Sequence, residues 1–123
     1  MFNHVMVGAK DIDESKRFYD AILGVLGISS GVKDSDVRCR YQGNGGVFMI
    51  KIPINGEPAT NGNGSTVGFA ANDAATVDAW HAAGIVNGGE TCEDPPGKRA
   101  SGVYLAYLRD PAGNKICAAY RSR

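Results

Sequence analysis

Apolar and polar positions recur along this chain in a pattern that appears once and then again. Residues 3 to 9 form an apolar run of strand length. Asp11, with Glu14 three positions later, makes a capping box that predicts a helix start. Phe18, Ile22 and Leu26, joined by Tyr19 and Leu23, follow at helical spacing, so this helix lays one face on a sheet, and Gly27 ends it. VRCRY at 37 to 41 alternates, with Val37, Cys39 and Tyr41 on one side and two arginines on the other. QGNGG at 42 to 46 reads as a hairpin loop, and VFMIKI at 47 to 52 as the returning strand. Its apolar set Phe48, Ile50 and Ile52 belongs under the helices, which turns Val47, Met49 and Lys51 to the opposite face.

Shifting the first half by 62 positions lays HVMVGAKD (4 to 11) on TVGFAAND (66 to 73). Val5 then meets Val67, Ala9 meets Ala71, Asp11 meets Asp73, and Phe18 with Tyr19 falls over Trp80 with His81. A slightly different shift brings GVF at 46 to 48 onto GVY at 102 to 104, as one loop of unequal length requires. An internal duplication is the economical explanation. Its first module covers about 1–54, a flexible Gly/Asn-rich linker 55–65, and its second module about 66–123, all within one domain. The linker glycines do not make a phosphate loop, because no Gly-Lys-Ser/Thr follows and no helix begins there. In the second module Asn72 or Asp73 caps a helix that runs to about Gly84 and turns Val77 and Trp80 inward. YLRDPAGNKICAAY, residues 107 to 120, reads as strand, tight turn, strand: Pro111 presets φ at the first corner, Asp110 suits the position before it, and Gly113 can take positive φ. In the final strand Cys117 points opposite to Ile116 and Ala118.

A chain of 123 residues that is 43% hydrophobic can bury a core without disulfides or structural zinc. Thirteen basic and thirteen acidic residues cancel, so no overall field favours nucleic acid or an anionic membrane as partner. No apolar run approaches the roughly 20 residues of a membrane span. The start MFNHVMVGAKD lacks a basic region followed by an apolar one, which points to the cytoplasm. Three cysteines without CxxC spacing argue against a disulfide framework or a zinc ribbon.

A strand, helix and three-strand module present twice, opened by HVMVGAKDIDESKRFYDAILG from His4 and closed by RDPAGNKI from Arg109, resembles the vicinal oxygen chelate superfamily of glyoxalase I, extradiol dioxygenases and bleomycin or fosfomycin resistance proteins. The likeness covers nearly the whole chain. It implies an α+β fold in which two βαβββ modules form a cupped, mixed eight-stranded sheet with the helices outside, and a divalent metal on the concave side in metal-dependent members. Carried over by position, the first-strand histidine matches His4, the histidine expected at the start of the second module matches Thr66, and the last-strand carboxylate matches Cys117. The remaining ligand position falls near Met49 or Lys51. One imidazole, one hydroxyl, one thiol and either a thioether or an ammonium serve a divalent ion poorly, and Lys51 would repel it. Zinc suits best what remains, with His4 as its retained ligand.

The resemblance puts the sulfur of Cys117 on the concave face, where three uses are open: inert lining, a thiolate activated by His4, or soft-metal ligation together with His4. His81, on the second helix, reads as a surface residue. EDPPGKRASG, 93 to 102, reads as a loop stiffened by two prolines, with Lys98 and Arg99 at its far end, and Arg99 can grip a carboxylate or phosphate. Lys51 shares the cup with Met49, while the side taken by Tyr107 stays open. The expected function is a small-molecule pocket, either a glyoxalase-like lyase or isomerase acting on a small carbonyl compound or a non-catalytic protein that sequesters an antibiotic or toxin. A homodimer is expected, because open sheet edges invite a second copy.

Overall fold

Each half of the chain folds as a strand, a helix and three further strands. The computed structural model describes residues 1–122. The first half comprises β1 (His4–Gly8), α1 (Ile12–Val25), β2 (Val32–Ser35), β3 (Arg38–Gln42) and β4 (Val47–Lys51). The second comprises β5 (Val67–Ala70), α2 (Ala74–Val86), β6 (Glu90–Lys98), β7 (Val103–Arg109) and β8 (Lys115–Arg121). The α+β class and the doubled βαβββ plan stand, with the eight strands divided into two mixed sheets of four, ordered β1-β4-β3-β2 and β5-β8-β7-β6. Within each sheet the first strand runs parallel to the last, His4 opposite Val47 and Val67 opposite Ile116, and the other pairs are antiparallel. β1 and β5 therefore each keep one open edge.

Local chemistry explains the helix ends. The Asp11 carboxylate accepts from the Glu14 amide at 2.9 Å and Asp73 from the Thr76 amide at 2.7 Å, each satisfying an amide that the first turn leaves without a partner. Gly27, at φ +84°, lets the chain leave α1. The helices pack on their own sheets and on each other, so both modules share one core that includes Phe18, Ile22, Ile50, Trp80, Leu108 and Ile116. Gly84 is required at that crossing, because a Cβ there would overlap the Leu108 side chain. Phe48 and Phe69 meet edge to face at 5.2 Å and carry the core from one module into the other.

The turn 110–114 ties the modules together. Its Asp110 is only 4% exposed. One carboxylate oxygen accepts from the Ala112 and Asn114 amides at 2.9 Å, and the other from the Asn114 side chain at 2.9 Å and the Tyr19 hydroxyl at 2.6 Å. The Asn114 side-chain Nδ2 also donates to the Gly8 carbonyl at 2.8 Å. Burial, with the adjacent Asp110 charge, pushes the Tyr19 phenol well above its ordinary value, so it stays a donor. Burying a carboxylate is tolerable only with such a full set of donors.

Three local expectations are corrected. Residues 93–98 are not loop: β6 runs to Lys98, and the stretch between Cys92 and Gly97 bulges out of register against β7. Prolines fit there because an edge strand has amides that need no partner. Val37 lies in the turn before β3 and is exposed, away from buried Cys39 and Tyr41. α2 continues to Val86 rather than Gly84. Between β4 and β5, Ala59 is buried against Gly8, where an added Cβ would come within 2.9 Å of the Ala59 Cβ.

Candidate functional site

Strand alternation sends one face of each sheet to the shared core and the other away from it. The second, cup face of the first module carries three cross-strand rows: His4, Val47 and Gln42; Met6, Met49 and Arg40; Gly8, Lys51 and Arg38. In the second module the central row is Gly68, Cys117, Tyr107 and Cys92, flanked by the row Lys115, Arg109 and Glu90.

Cys117 is 7% exposed beneath the gap left by Gly68, where a Cβ would lie 3.3 Å from the sulfur. Burial pushes its thiol up, outweighing the opposing pull of Lys115, so it is protonated near neutrality and is not a ready nucleophile. Tyr107 lies on the same face, which resolves its side. Lys115 Nζ sits 4.9 Å and the Arg99 guanidinium 5.9 Å from its ring centroid, as cations favour aromatic faces. Lys115 is ion-paired with Glu93, which holds a left-handed φ of +57° inside the β6 bulge. Arg99 donates through Nη1 to the Pro95 and Gly97 carbonyls at 3.0 Å and through Nη2 to the Asp94 carbonyl at 3.1 Å. Its fork thus holds the bulge shut, with the guanidinium carbon over the Tyr107 ring.

The remaining sequence-predicted residues lie on or beside the first module. His4 is exposed, with Nδ1 2.8 Å from Asn3 Oδ1. It lines a cavity of about 440 Å³ between the modules together with Phe48, Gly68 and Phe69, and Cys117 does not line that cavity. Thr66 is exposed just before β5. Met49 and Lys51 are half-buried on the cup face, and Lys51 Nζ donates to the Ile52 carbonyl at 3.3 Å. His81 lies elsewhere, 3.0 Å from the Thr91 hydroxyl, its pKa lowered by burial. One chain thus groups Cys117, Tyr107 and Arg99 on one sheet, and His4, Met49 and Lys51 on the other.

A divalent metal does not fit these donors. Among the described residues no three His, Cys, Asp or Glu side chains gather to hold an ion. The positions expected to ligate offer an exposed imidazole, a protonated buried thiol, a hydroxyl and either a thioether or an ammonium. Sequence reasoning missed Glu93 and Lys115. Glu93 stands in a segment read as loop, and only the bulge brings its carboxylate over the cup face.

The family model described as Glyoxalase/Bleomycin resistance protein/Dioxygenase superfamily matches residues 1–118. The chain belongs to this superfamily. Among solved structures, this superfamily member is similar to a glyoxalase/bleomycin resistance protein from Albidiferax ferrireducens T118, at 61% identity, 99% coverage of both chains and a TM-score of 0.95. A glyoxalase-related enzyme from Fulvimarina pelagi shares 20% identity over 98% of this chain and 88% of its own, with a TM-score of 0.81. Lactoylglutathione lyase from Agrobacterium tumefaciens shares 22% over 98% and 92%, with a TM-score of 0.70. The last two likenesses show the fold of the superfamily alone. A comparison with curated proteins found no match.

Proposed function

We propose that this superfamily member binds a small molecule on its cup faces without a metal ion, in a site that two copies of the chain build together. The observation that carries the reading is the row Gly68, Cys117, Tyr107 and Cys92: a small-residue gap, a protonated thiol and an aromatic ring roofed by Lys115 and Arg99. Such a strip offers apolar contact, stacking and positive charge, with no redox or Lewis-acid group needed. Tyr107 and Arg99 are assigned to ligand contact here, and Met49, Lys51 and Thr66 to the other wall. His4 borders the ligand rather than a metal.

The two-copy arrangement rests on the sheet edges. The outer edges are guarded: β2 carries Lys33 and Asp34, and β6 carries Glu93, Asp94, two prolines and a bulge. The inner edge strands, HVMVG and VGFA, carry no acidic residue, lysine, arginine or proline. Odd-numbered residues of β1 turn their backbone groups to β4, as the bonds from Val47 to Asn3 and from Ala9 to Lys51 require, so those of His4 and Met6 face outward. Pairing β1 of one copy with β5 of another closes both edges and joins the His4 sheet to the Cys117 sheet.

The test is elemental analysis of untagged protein, with thermal denaturation after chelation and after zinc addition, alongside sedimentation at several concentrations. The reading expects no bound metal, no shift in Tm and a dimer that Met6→Lys converts to monomer. Near-stoichiometric metal with loss of stability on chelation would sink it. A second, catalytic reading has one observation behind it: Glu93 is a carboxylate on the same face, placed to move a proton on a small carbonyl compound as a lyase or isomerase would. That reading requires turnover that Glu93→Gln abolishes.

A further inference from the structure

The residues between β4 and β5 do more than connect the modules. They line, with the end of the first module's cup face, an open cavity of about 450 Å³, a volume in the range of small-molecule sites. Its lining is mostly apolar, including Met6, Pro53, Ile54 and Pro58, with Asn55 and Thr60 as its neutral polar side chains. Among the described residues Lys51 is the only charged one lining it; Glu57, the one acid of the connecting segment, is exposed and does not line it.

The ammonium of Lys51 is poorly matched by what surrounds it. It belongs to none of the four ion pairs among the described residues, and its partner is the carbonyl of the next residue at 3.3 Å. Directly opposite on β3, on the same face, stands Arg38. Like charges facing each other across a strand pair destabilise it. Arg38 has its own acid, Asp34, at 2.7 Å toward the outer edge, and Arg40 adds a further cation one row along. A chain with no net charge has therefore placed three cations on one small face, one of them aimed into an apolar cavity.

Extending the small-molecule reading above, and resting on it, we infer that this cavity takes a monocarboxylate with a short aliphatic or aromatic tail. The carboxylate pairs with Lys51, and the tail lies on Met6, Ile54 and the two prolines. A single cation matches a single negative charge, whereas a phosphate dianion would bring in a second charge that the lining does not answer. Ile54, at 95% exposed, stands on the rim with its apolar surface uncovered, and a ligand tail supplies cover for it. Gly8 and Ala59 set the floor, since any larger residue at Gly8 would push the segment outward.

The experiment is a calorimetric titration of the full chain with hexanoate, with hexanamide as its uncharged match and with inorganic phosphate, followed by methyl NMR of the methionines. Hexanoate is expected to bind saturably, to shift the Met6 methyl, and to bind at least roughly tenfold more tightly than hexanamide. Lys51→Met should erase that preference without lowering Tm, since it also removes a like-charge pair with Arg38, and Lys51→Arg should keep it. Equal binding of hexanoate and hexanamide, tighter binding of phosphate, or a preference that survives Lys51→Met would overturn the inference. Saturable hexanoate binding that leaves the Met6 methyl unshifted would refute this cavity and leave the small-molecule reading standing. The small-molecule reading falls on different data, a stoichiometric metal or a cup that takes up no ligand of any charge.

Discussion

The two modules share a backbone plan and differ in what they do with it. Each starts a helix with an aspartate cap, pairs its first strand in parallel with its last, and turns an apolar set inward. Their cup cations diverge. In the second module Lys115 is paired with Glu93, Arg99 holds three carbonyls, and Arg109 donates to the Gly113 carbonyl. In the first, Lys51 has only a neighbouring carbonyl. The last hairpins diverge as well: Asp110, Ala112 and Asn114 are buried and the turn reaches across to Tyr19 and Gly8, whereas Asn44 and Gly45 stand exposed. A duplicated scaffold conserves what makes each half fold and is free to vary what faces outward, so the differences between halves mark where specificity resides.

Removing Asp110 tests this contrast most severely. Asp110→Ala leaves the Tyr19 hydroxyl, the Asn114 side chain and two turn amides without their acceptor, and is expected to cost about 3 kcal/mol or more. Asn44→Ala, in the corresponding hairpin of the first module, should stay within about 0.5 kcal/mol of wild type by urea denaturation. Equal costs would mean that the hairpins do not differ in role. The next effect contrasts two helix glycines. Gly84→Ala forces a methyl into the Leu108 side chain and should destabilise by about 1–3 kcal/mol. Gly24→Ala meets nothing within 4 Å and should stabilise by about 0.5–1 kcal/mol.

The smallest expected effect is a slope with pH. Burial raises the pKa of Tyr19, Tyr41 and Cys39 in the first module and of Cys117 in the second. The folded chain keeps these protons when the unfolded chain, with thiols near 9.0 and phenols near 10.0, has begun to release them. Their contribution is therefore complete below about pH 9 and declines as pH rises beyond it. Urea midpoints measured from pH 7 to 10.5 should fall only above pH 9, and Cys39→Ala should flatten part of that decline. A midpoint independent of pH would refute it.

Much of the scaffold was legible in the residues themselves. Asp11 and Asp73 announce helix starts through short-range chemistry, and alternation along VFMIKI separates Phe48 and Ile50 from Met49 and Lys51. The parity of Cys117 was equally readable. What escaped depends on long-range contact. VKDS in β2 is exposed throughout and shows no alternating burial. EDPP looks like a loop, because its breakers are tolerated only by an edge strand that bulges. Asp110 reads as an ordinary turn residue, and only the approach of Tyr19 from 91 positions away explains why it is buried. Glu93 reaches Lys115 through the same unforeseen bulge.

The bonds from Tyr19 to Asp110 and from Asn114 to Gly8 span 91 and 106 residues. During synthesis the first module emerges early, yet its helix and first strand cannot complete their polar contacts until the last hairpin leaves the ribosome. Such distant closures slow folding. Until then the Tyr19 hydroxyl lacks its carboxylate and the Gly8 carbonyl its donor, so this half is where chaperone engagement would concentrate.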